Sequence, residues 1–396
     1  PDFIDPSHHR LVAGKPSRAL DLWLEGKRGV ARNYFRGEGS ICVAEGVMGM
    51  YDGGDTSTAA VAEKLHLPVV LVVDGSAGME SVAATALGFS EYASRAGFET
   101  EVKGIIAQKT HKGNHEKGIK EALPGDLEYF GRIPPVDDLE IPERHLGLFM
   151  GDQFPVSESG LKKASEFLKV EKLLDVASEP EGSGFAFREE EIDRSISVGL
   201  ARDEAFNFIY PRTREKLSRV DLVEFSPLEG DDPPDVDGVY LPGGYPELYP
   251  GKLESSPTMQ GLAERAREGL PVFGECGGMI AMSKGLTTGE GERYEMAGIL
   301  PAEARMVDGL QGLGYVELEG REANPFFGAS NTVRGHEFHY SRMEVEDGAK
   351  FGFDVLKGKG IDGEHDGLVK GNSVGTYGHF HPESGLFDDF LESLQD

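Results

Sequence analysis

A chain of 396 residues is too long for one ordinary hydrophobic core and predicts two domains. Its 69 acidic residues against 40 basic ones give a formal charge of -29, which repels nucleic acid and anionic membrane surfaces and removes both as expected partners. The two cysteines, Cys42 and Cys276, are too few for a disulfide framework and neither stands in a metal-type pair. No run approaches the roughly 18 apolar residues of a membrane helix and the opening residues lack a secretory pattern, so a cytoplasmic protein is expected. A surface this acidic also suits concentrated salt, where screening relieves its self-repulsion.

Taken in chain order, the β-branched runs Ser40 to Ala44, Val69 to Val73 and Val102 to Ala107 read as buried strands. Enough residues separate them for one helix each, the pattern of a parallel sheet with crossover helices. Directly after the first run comes Glu45-Gly46-Val47-Met48-Gly49-Met50-Tyr51-Asp52-Gly53. An acidic residue at the C-terminal end of a parallel strand is where a Mg²⁺-nucleotide site is expected, and Asp52 beyond the glycines is a second carboxylate able to share the metal; such residues are also often merely solvated. Between Ser178 and Arg194 the composition shifts to Ser, Glu, Pro and Gly, which predicts a boundary between domains 1–185 and 195–396.

The second half repeats the α/β logic, with strands expected at Ser197 to Ala201, Leu222 to Phe225, Gly238 to Leu241 and Pro271 to Phe273. A helix precedes the last of these, with Ser256 as N-cap, Pro257 at its first position, Met259, Leu262, Ala263 and Ala266 on one face, and Gly269 at its end. The strand then runs into Gly274-Glu275-Cys276-Gly277-Gly278 and an apolar stretch able to open a helix. A nucleophile between strand and helix, flanked by glycines, is the elbow arrangement, and a helix N-terminus behind it would lower the thiol pKa. A lone cysteine is more often a buried structural residue, but glycine on both sides favours catalysis.

A nucleophilic cysteine needs a base and an oxyanion site. Gly375-Thr376-Tyr377-Gly378-His379-Phe380-His381 offers two histidines on alternate positions, which in a strand point the same way, one as base and one as support. Leu241-Pro242-Gly243-Gly244-Tyr245-Pro246-Glu247 places glycines after a strand end, so Gly244 and Gly277 are the candidate oxyanion donors, although a Gly-Gly pair alone is more often a plain turn. Metal binding by His336 and His339 has little to support it, because no soft ligand stands nearby.

These segments, with Arg334-Gly335-His336-Glu337-Phe338-His339-Tyr340-Ser341, Pro1-Asp2-Phe3-Ile4-Asp5-Pro6, Ile141 to Leu148 and Ala201 to Phe208, resemble in the same order the cobyrinic acid a,c-diamide synthase family across the whole chain. The resemblance implies a P-loop NTPase-like (dethiobiotin-synthetase-like) parallel-sheet domain followed by a class I glutamine amidotransferase-like α/β domain. It implies that Cys276 attacks the glutamine amide with His379 as base. The run Phe380-His381-Pro382-Glu383-Ser384 supports an alternative register in which His381 and Glu383 carry that role. Asp2, Asp5, Glu45 and Asp52 would line a site for Mg-ATP and the substrate carboxylate, with Glu45 on Mg²⁺. Gln108 stands where the family usually has an asparagine near the adenine, and Arg144 and His145 would contact substrate or a domain interface. The implied partners are glutamine, ATP and a corrinoid tetrapyrrole, and a homodimer is one assembly it allows.

The family's glycine-rich phosphate loop ending Gly-Lys-Thr/Ser is not found in the sequence, and the chain starts at Pro1. The expectation is an N-terminally truncated sequence lacking the P-loop unit, on the order of 30 residues, that keeps its glutaminase architecture but binds ATP poorly. Three rival readings share these motifs: a nickel-sirohydrochlorin a,c-diamide synthase of coenzyme F430 biosynthesis, a synthase-inactive binding module, and a free-standing glutaminase.

Overall fold

The computed structural model describes residues 2–76, 78–144, 147–178 and 196–395. The chain divides into two compact units, one of Asp2–Leu22 and Gly26–Phe187, the other of Trp23–Glu25 and Arg188–Asp396. The expected Ser, Glu, Pro and Gly boundary lies, from 179 to 195, outside the described residues.

In the first unit the strands Val69–Asp74 (β1), Val102–Gln108 (β2) and Glu128–Ile133 (β3) form a parallel sheet in the order β1-β2-β3. Helices Glu80–Ala96 and Asn114–Ala122 make the crossovers that parallel neighbours require. Leu71, Ile105, Ala107, Ile119 and Tyr129 pack into its core. Helix Thr58–Leu65 starts where Ser57 accepts a hydrogen bond from the Ala60 N–H at 3.2 Å, an N-cap that satisfies one of the orphan donors of the first turn.

One predicted strand does not form. Residues 40–44 are exposed and lie outside every strand, with Val43 90% exposed. β-propensity reports only that side chains suit a pleated surface, and a strand exists only where a neighbour completes its hydrogen bonds; no described strand pairs with this run. The prediction of burial also fails in part for β1, where Val72 is 57% exposed.

The second unit is built on a nine-stranded sheet. Its strands are Ser197–Ala201 (β4), Asp221–Phe225 (β5), Gly238–Leu241 (β6), Val272–Glu275 (β7), Gly312–Gly320 (β8), Thr332–His339 (β9), Lys350–Lys357 (β10), His365–Lys370 (β11) and Ser373–Thr376 (β12). The order is β9-β8-β10-β11-β12-β7-β6-β4-β5. From β12 to β5 every pair is parallel, and from β9 to β12 every pair is antiparallel. The helix Pro257–Arg267 links β6 to β7. Ser256 accepts from the Met259 N–H at 3.3 Å, and Met259, Leu262 and Ala263 are buried, as its sequence predicts. A separate four-stranded sheet is made by Gly285–Thr287, Arg293–Glu295, Ala302–Met306 and Ser341–Val345.

Candidate active site

β6, β7 and β12 are adjacent and parallel, so their C-terminal ends open on one edge of the sheet. The Gly243-Gly244 turn follows β6, Cys276 follows β7, and His379 lies three residues beyond β12. The sheet thus delivers three separate sequence segments to one place, the usual location of sites in parallel sheets.

Cys276 bridges the last residue of β7 and the short helix Gly277–Met282 with φ 43° and ψ -97°. A residue with a β-carbon pays for a positive φ and holds it only where the surroundings dictate it. The surroundings here are tight. A β-carbon on Gly278 would stand 2.0 Å from the Leu241 carbonyl oxygen, and one on Gly274 would meet Met282 Sδ at 2.4 Å. The Cys276 N–H donates to the Thr376 carbonyl at 2.6 Å, and Sγ lies 4.0 Å from the Phe338 carbonyl oxygen. The expectation of a lowered thiol pKa does not hold. Burial pushes the thiol well up and Glu247 adds to the rise, while the Gly277 N–H lowers it only in part. A turn of helix this short cannot outweigh desolvation, so forming the thiolate requires a base.

The two glycines expected to face an oxyanion lie against each other: a β-carbon on Gly277 would be 2.9 Å from the Gly244 nitrogen. The Gly243 carbonyl accepts from the Asn207 and Phe208 N–H groups at 3.1 and 3.0 Å, and the Tyr245 N–H donates to the Ala205 carbonyl at 3.0 Å. This pins the turn on both sides. A β-carbon on Gly243 would run into His379 Cε1 at 2.4 Å, so the His379 ring packs directly on it.

His379 is buried, and burial pushes its pKa down to about 3, with His339 adding to the fall. It is therefore neutral near pH 7, the state a base must have. Its backbone exchanges hydrogen bonds with His336 at 2.7 and 3.0 Å, and the two rings stack with centroids 5.0 Å apart. The His339 ring stacks at 3.6 Å on Tyr377. Two carboxyl groups that the sequence did not single out face this segment. Glu275 Oε2 is 3.8 Å from His379 Nδ1. Asp366, fully buried, accepts from the backbone N–H groups of Gly367, Tyr377 and Gly378 at 2.7, 3.0 and 3.2 Å, and so clamps the turn that leads to His379. The signal for Glu275 was an acidic residue closing an otherwise apolar buried strand; the Asp366 bonds to Tyr377 and Gly378 span 11 and 12 residues and leave no local trace.

Burial raises the Asp366 pKa to about 6 although its three N–H donors lower it. The native state therefore holds this proton more tightly than the unfolded chain, whose aspartates titrate near ~3.9. The stability so gained is fully present below about pH 4 and is lost as pH rises through about 6. Asp366→Asn should flatten that part of the profile. It should also cost about 1–3 kcal/mol near pH 7, because an amide cannot accept from all these donors. Urea unfolding of both proteins across that pH range, followed by circular dichroism, checks both effects.

The alternative base has different neighbours, and the two histidines do not share one strand face as expected, because β12 ends before them. The His381 ring meets Tyr210 at 4.8 Å, and its Nδ1 accepts from the Glu383 N–H at 3.3 Å. The Glu383 carboxylate takes the Arg212 Nε–H at 2.7 Å.

In the first unit, burial and then the carboxylates of Asp2 and Glu45 raise the Asp5 pKa, which brings three of the four expected acidic residues together. Glu45 also pairs with His9 at 3.0 Å. Asp52 is not among the groups that act on Asp5. It lines a cavity of about 530 Å³ with Tyr51, Phe89, Tyr92 and Phe98. No three His, Cys, Asp or Glu side chains among the described residues form a ready metal cage. Mg²⁺ needs none, since it is held by one or two carboxylates together with phosphates and water, and the mutual repulsion around Asp5 suits a cation. Gln108 ends β2, where its carbonyl accepts from the Gly75 N–H at 2.9 Å. Arg144 belongs to the two-residue strand Glu143–Arg144, and His145 lies outside the described residues. No helix among the described residues is long and apolar enough to cross a membrane.

A family model of the CobB/CobQ-like glutamine amidotransferase domain matches residues 197–387. A cobyrinate a,c-diamide synthase of Haloarcula marismortui is 54% identical over 99% of this chain and 90% of its own. One from Halobacterium salinarum is 52% identical over 100% of this chain and 89% of its own. Among solved structures, PurLQS from Thermotoga maritima superimposes with a TM-score of 0.39 at 16% identity, covering 50% of this chain and 99% of that one.

Proposed function

The chain belongs to the cobyrinate a,c-diamide synthase family, and from that premise we propose that it amidates the a and c side-chain carboxylates of cobyrinic acid, with glutamine as nitrogen donor and ATP as activating co-substrate. The observation that carries the glutamine half is the strained Cys276 elbow packed between the Gly244 turn and the segment that ends in His379.

In this reading Cys276 Sγ attacks the side-chain amide carbon of glutamine as His379 takes the thiol proton. The tetrahedral oxygen lies between the N–H groups of Gly244 and Gly277, where fixed donors stabilise charge without reorganising. His379 returns the proton to the departing nitrogen, ammonia leaves, and water hydrolyses the glutamyl thioester. Burial keeps this imidazole neutral and so able to accept a proton, but at about 3 it is a weak base unless a counter-charge stands beside it.

For the other half, the substrate carboxylate attacks the γ-phosphate of ATP, ADP leaves, and ammonia displaces phosphate from the acyl phosphate to give the amide. Asp2, Asp5 and Glu45 would hold Mg²⁺, which when bound offsets the charge between phosphates and carboxylate. Asp52 stands beside the aromatic cavity and would contact substrate there.

Incubation of the protein carrying a family P-loop unit ahead of Pro1 with glutamine, Mg-ATP and cobyrinic acid should yield glutamate together with the mono- and then the diamide by mass spectrometry. Amidation of nickel-sirohydrochlorin but not of cobyrinic acid would overturn the substrate assignment. Glutamate release with no amide from either would overturn the synthase reading.

A further inference from the structure

Glu275 is the last residue of β7, next to the nucleophile in sequence, and it is 2% exposed. A buried acid at this point is costly unless its oxygens are used. Oε1 accepts from the Phe380 N–H at 3.3 Å and Oε2 from the Tyr240 hydroxyl at 3.0 Å. Both bonds are donated to it, so the carboxyl acts as an acceptor. Oε2 also faces His379 Nδ1 at 3.8 Å, slightly beyond hydrogen-bond length, a separation common before substrate binds. One residue therefore touches both the base and the amide that follows it, and is covalently joined to Cys276.

We propose that Glu275 is a positioning residue for His379: it receives the proton on Nδ1, leaves the other ring nitrogen to take the thiol proton, and offsets the imidazolium charge that results.

Burial raises the Glu275 carboxyl to about 8 and lowers His379 to about 3. The bonds from Tyr240 and Phe380 offset the rise of Glu275 only in part, so the role belongs to its ionised form, 3.8 Å from Nδ1, and hydrolysis should increase as pH rises through about 8. The proton that leaves Cys276 ends on His379, so no charge is created without its partner. Glu383, the acid of the alternative register, instead engages Arg212.

The inference rests on the reading of Cys276 and His379 given above, and the test separates the two. In the full chain carrying Cys42→Ser, so that Cys276 is the sole thiol, Glu275→Gln preserves shape and removes the charge. Its kcat for glutamine hydrolysis should fall about 10²-fold with KM changed by less than about 3-fold, the pattern of a lost proton-transfer partner. Glu275→Asp should restore part of the loss, and alkylation of Cys276 by iodoacetamide should slow with Glu275→Gln. Should Glu275→Gln not fold, Tyr240→Phe, which frees Oε2 from its hydroxyl, should give a smaller fall in kcat at unchanged KM. Glu275→Gln, or in its place Tyr240→Phe, with wild-type kcat while His379→Ala abolishes hydrolysis overturns this inference alone. Full hydrolysis by His379→Ala overturns the underlying assignment. A collapse of kcat in Glu383→Gln, with Glu275→Gln unaffected, transfers the role to Glu383 and also overturns the proposal.

Discussion

Cys276→Ala is expected to lower glutamine hydrolysis by about 10⁴-fold or more, the scale on which removing a nucleophile acts in comparable covalent mechanisms. The size follows from the lack of a substitute: Cys42, the other thiol, is exposed and lies in the other unit. The loss should appear in kcat, since the alanine keeps the elbow's β-carbon and hence the local backbone. Amidation driven by added ammonium salt should persist, because ammonia enters after the thioester step. Side-by-side glutamate release and ammonia-supported amide formation make the measurement, and amidation from glutamine at the wild-type rate would defeat the mechanism.

Gly278→Ala is expected to cost about 3 kcal/mol, near the upper end for overpacking, because what the new methyl group meets is backbone. Its β-carbon would lie 2.0 Å from the Leu241 oxygen and 2.8 Å from the Leu241 carbonyl carbon, and no change of rotamer moves a main-chain carbonyl held in β6. Either the helix Gly277–Met282 lifts from the sheet or β6 is displaced, and both disturb the Gly244 turn. At this domain size the loss corresponds to a fall of roughly 10 °C in Tm. Gly289→Ala is the control, since a β-carbon there meets nothing within 4 Å. Equal Tm values for the two variants by calorimetry would show that the contact is absent in solution.

Features written in adjacent residues were legible in the sequence. Ser256-Pro257 announces a helix start, Gly238 to Leu241 forms as a strand between its expected ends, and the glycines around Cys276 mark an elbow because only small residues tolerate such a turn. What depends on distant partners was not. The run at 40–44 has the side chains of a strand but no neighbour among the described strands, and composition carries no information about pairing. The thiol was expected to be acidified by the helix behind it; only the folded structure shows how completely it is desolvated, and burial outweighs the helix. Asp366 was invisible because its acceptor role exists only once β11 and β12 lie side by side.

The three ends of β6, β7 and β12 give the site a particular kind of accuracy. Spacing across the sheet is set by main-chain hydrogen bonding at about 4.8 Å and spacing along each strand by register at about 3.3 Å per residue. Alignment among the nucleophile, the glycine turn and the histidine segment is thus quantised. Gradual wear is absorbed, since small side-chain changes in the sheet interior leave the register intact. An insertion or deletion of one residue in any of the three strands is not, because it inverts which face each side chain occupies. Among descendants of this sequence, length changes should therefore gather in the connections, while these strands stay fixed in length even where their apolar residues are exchanged.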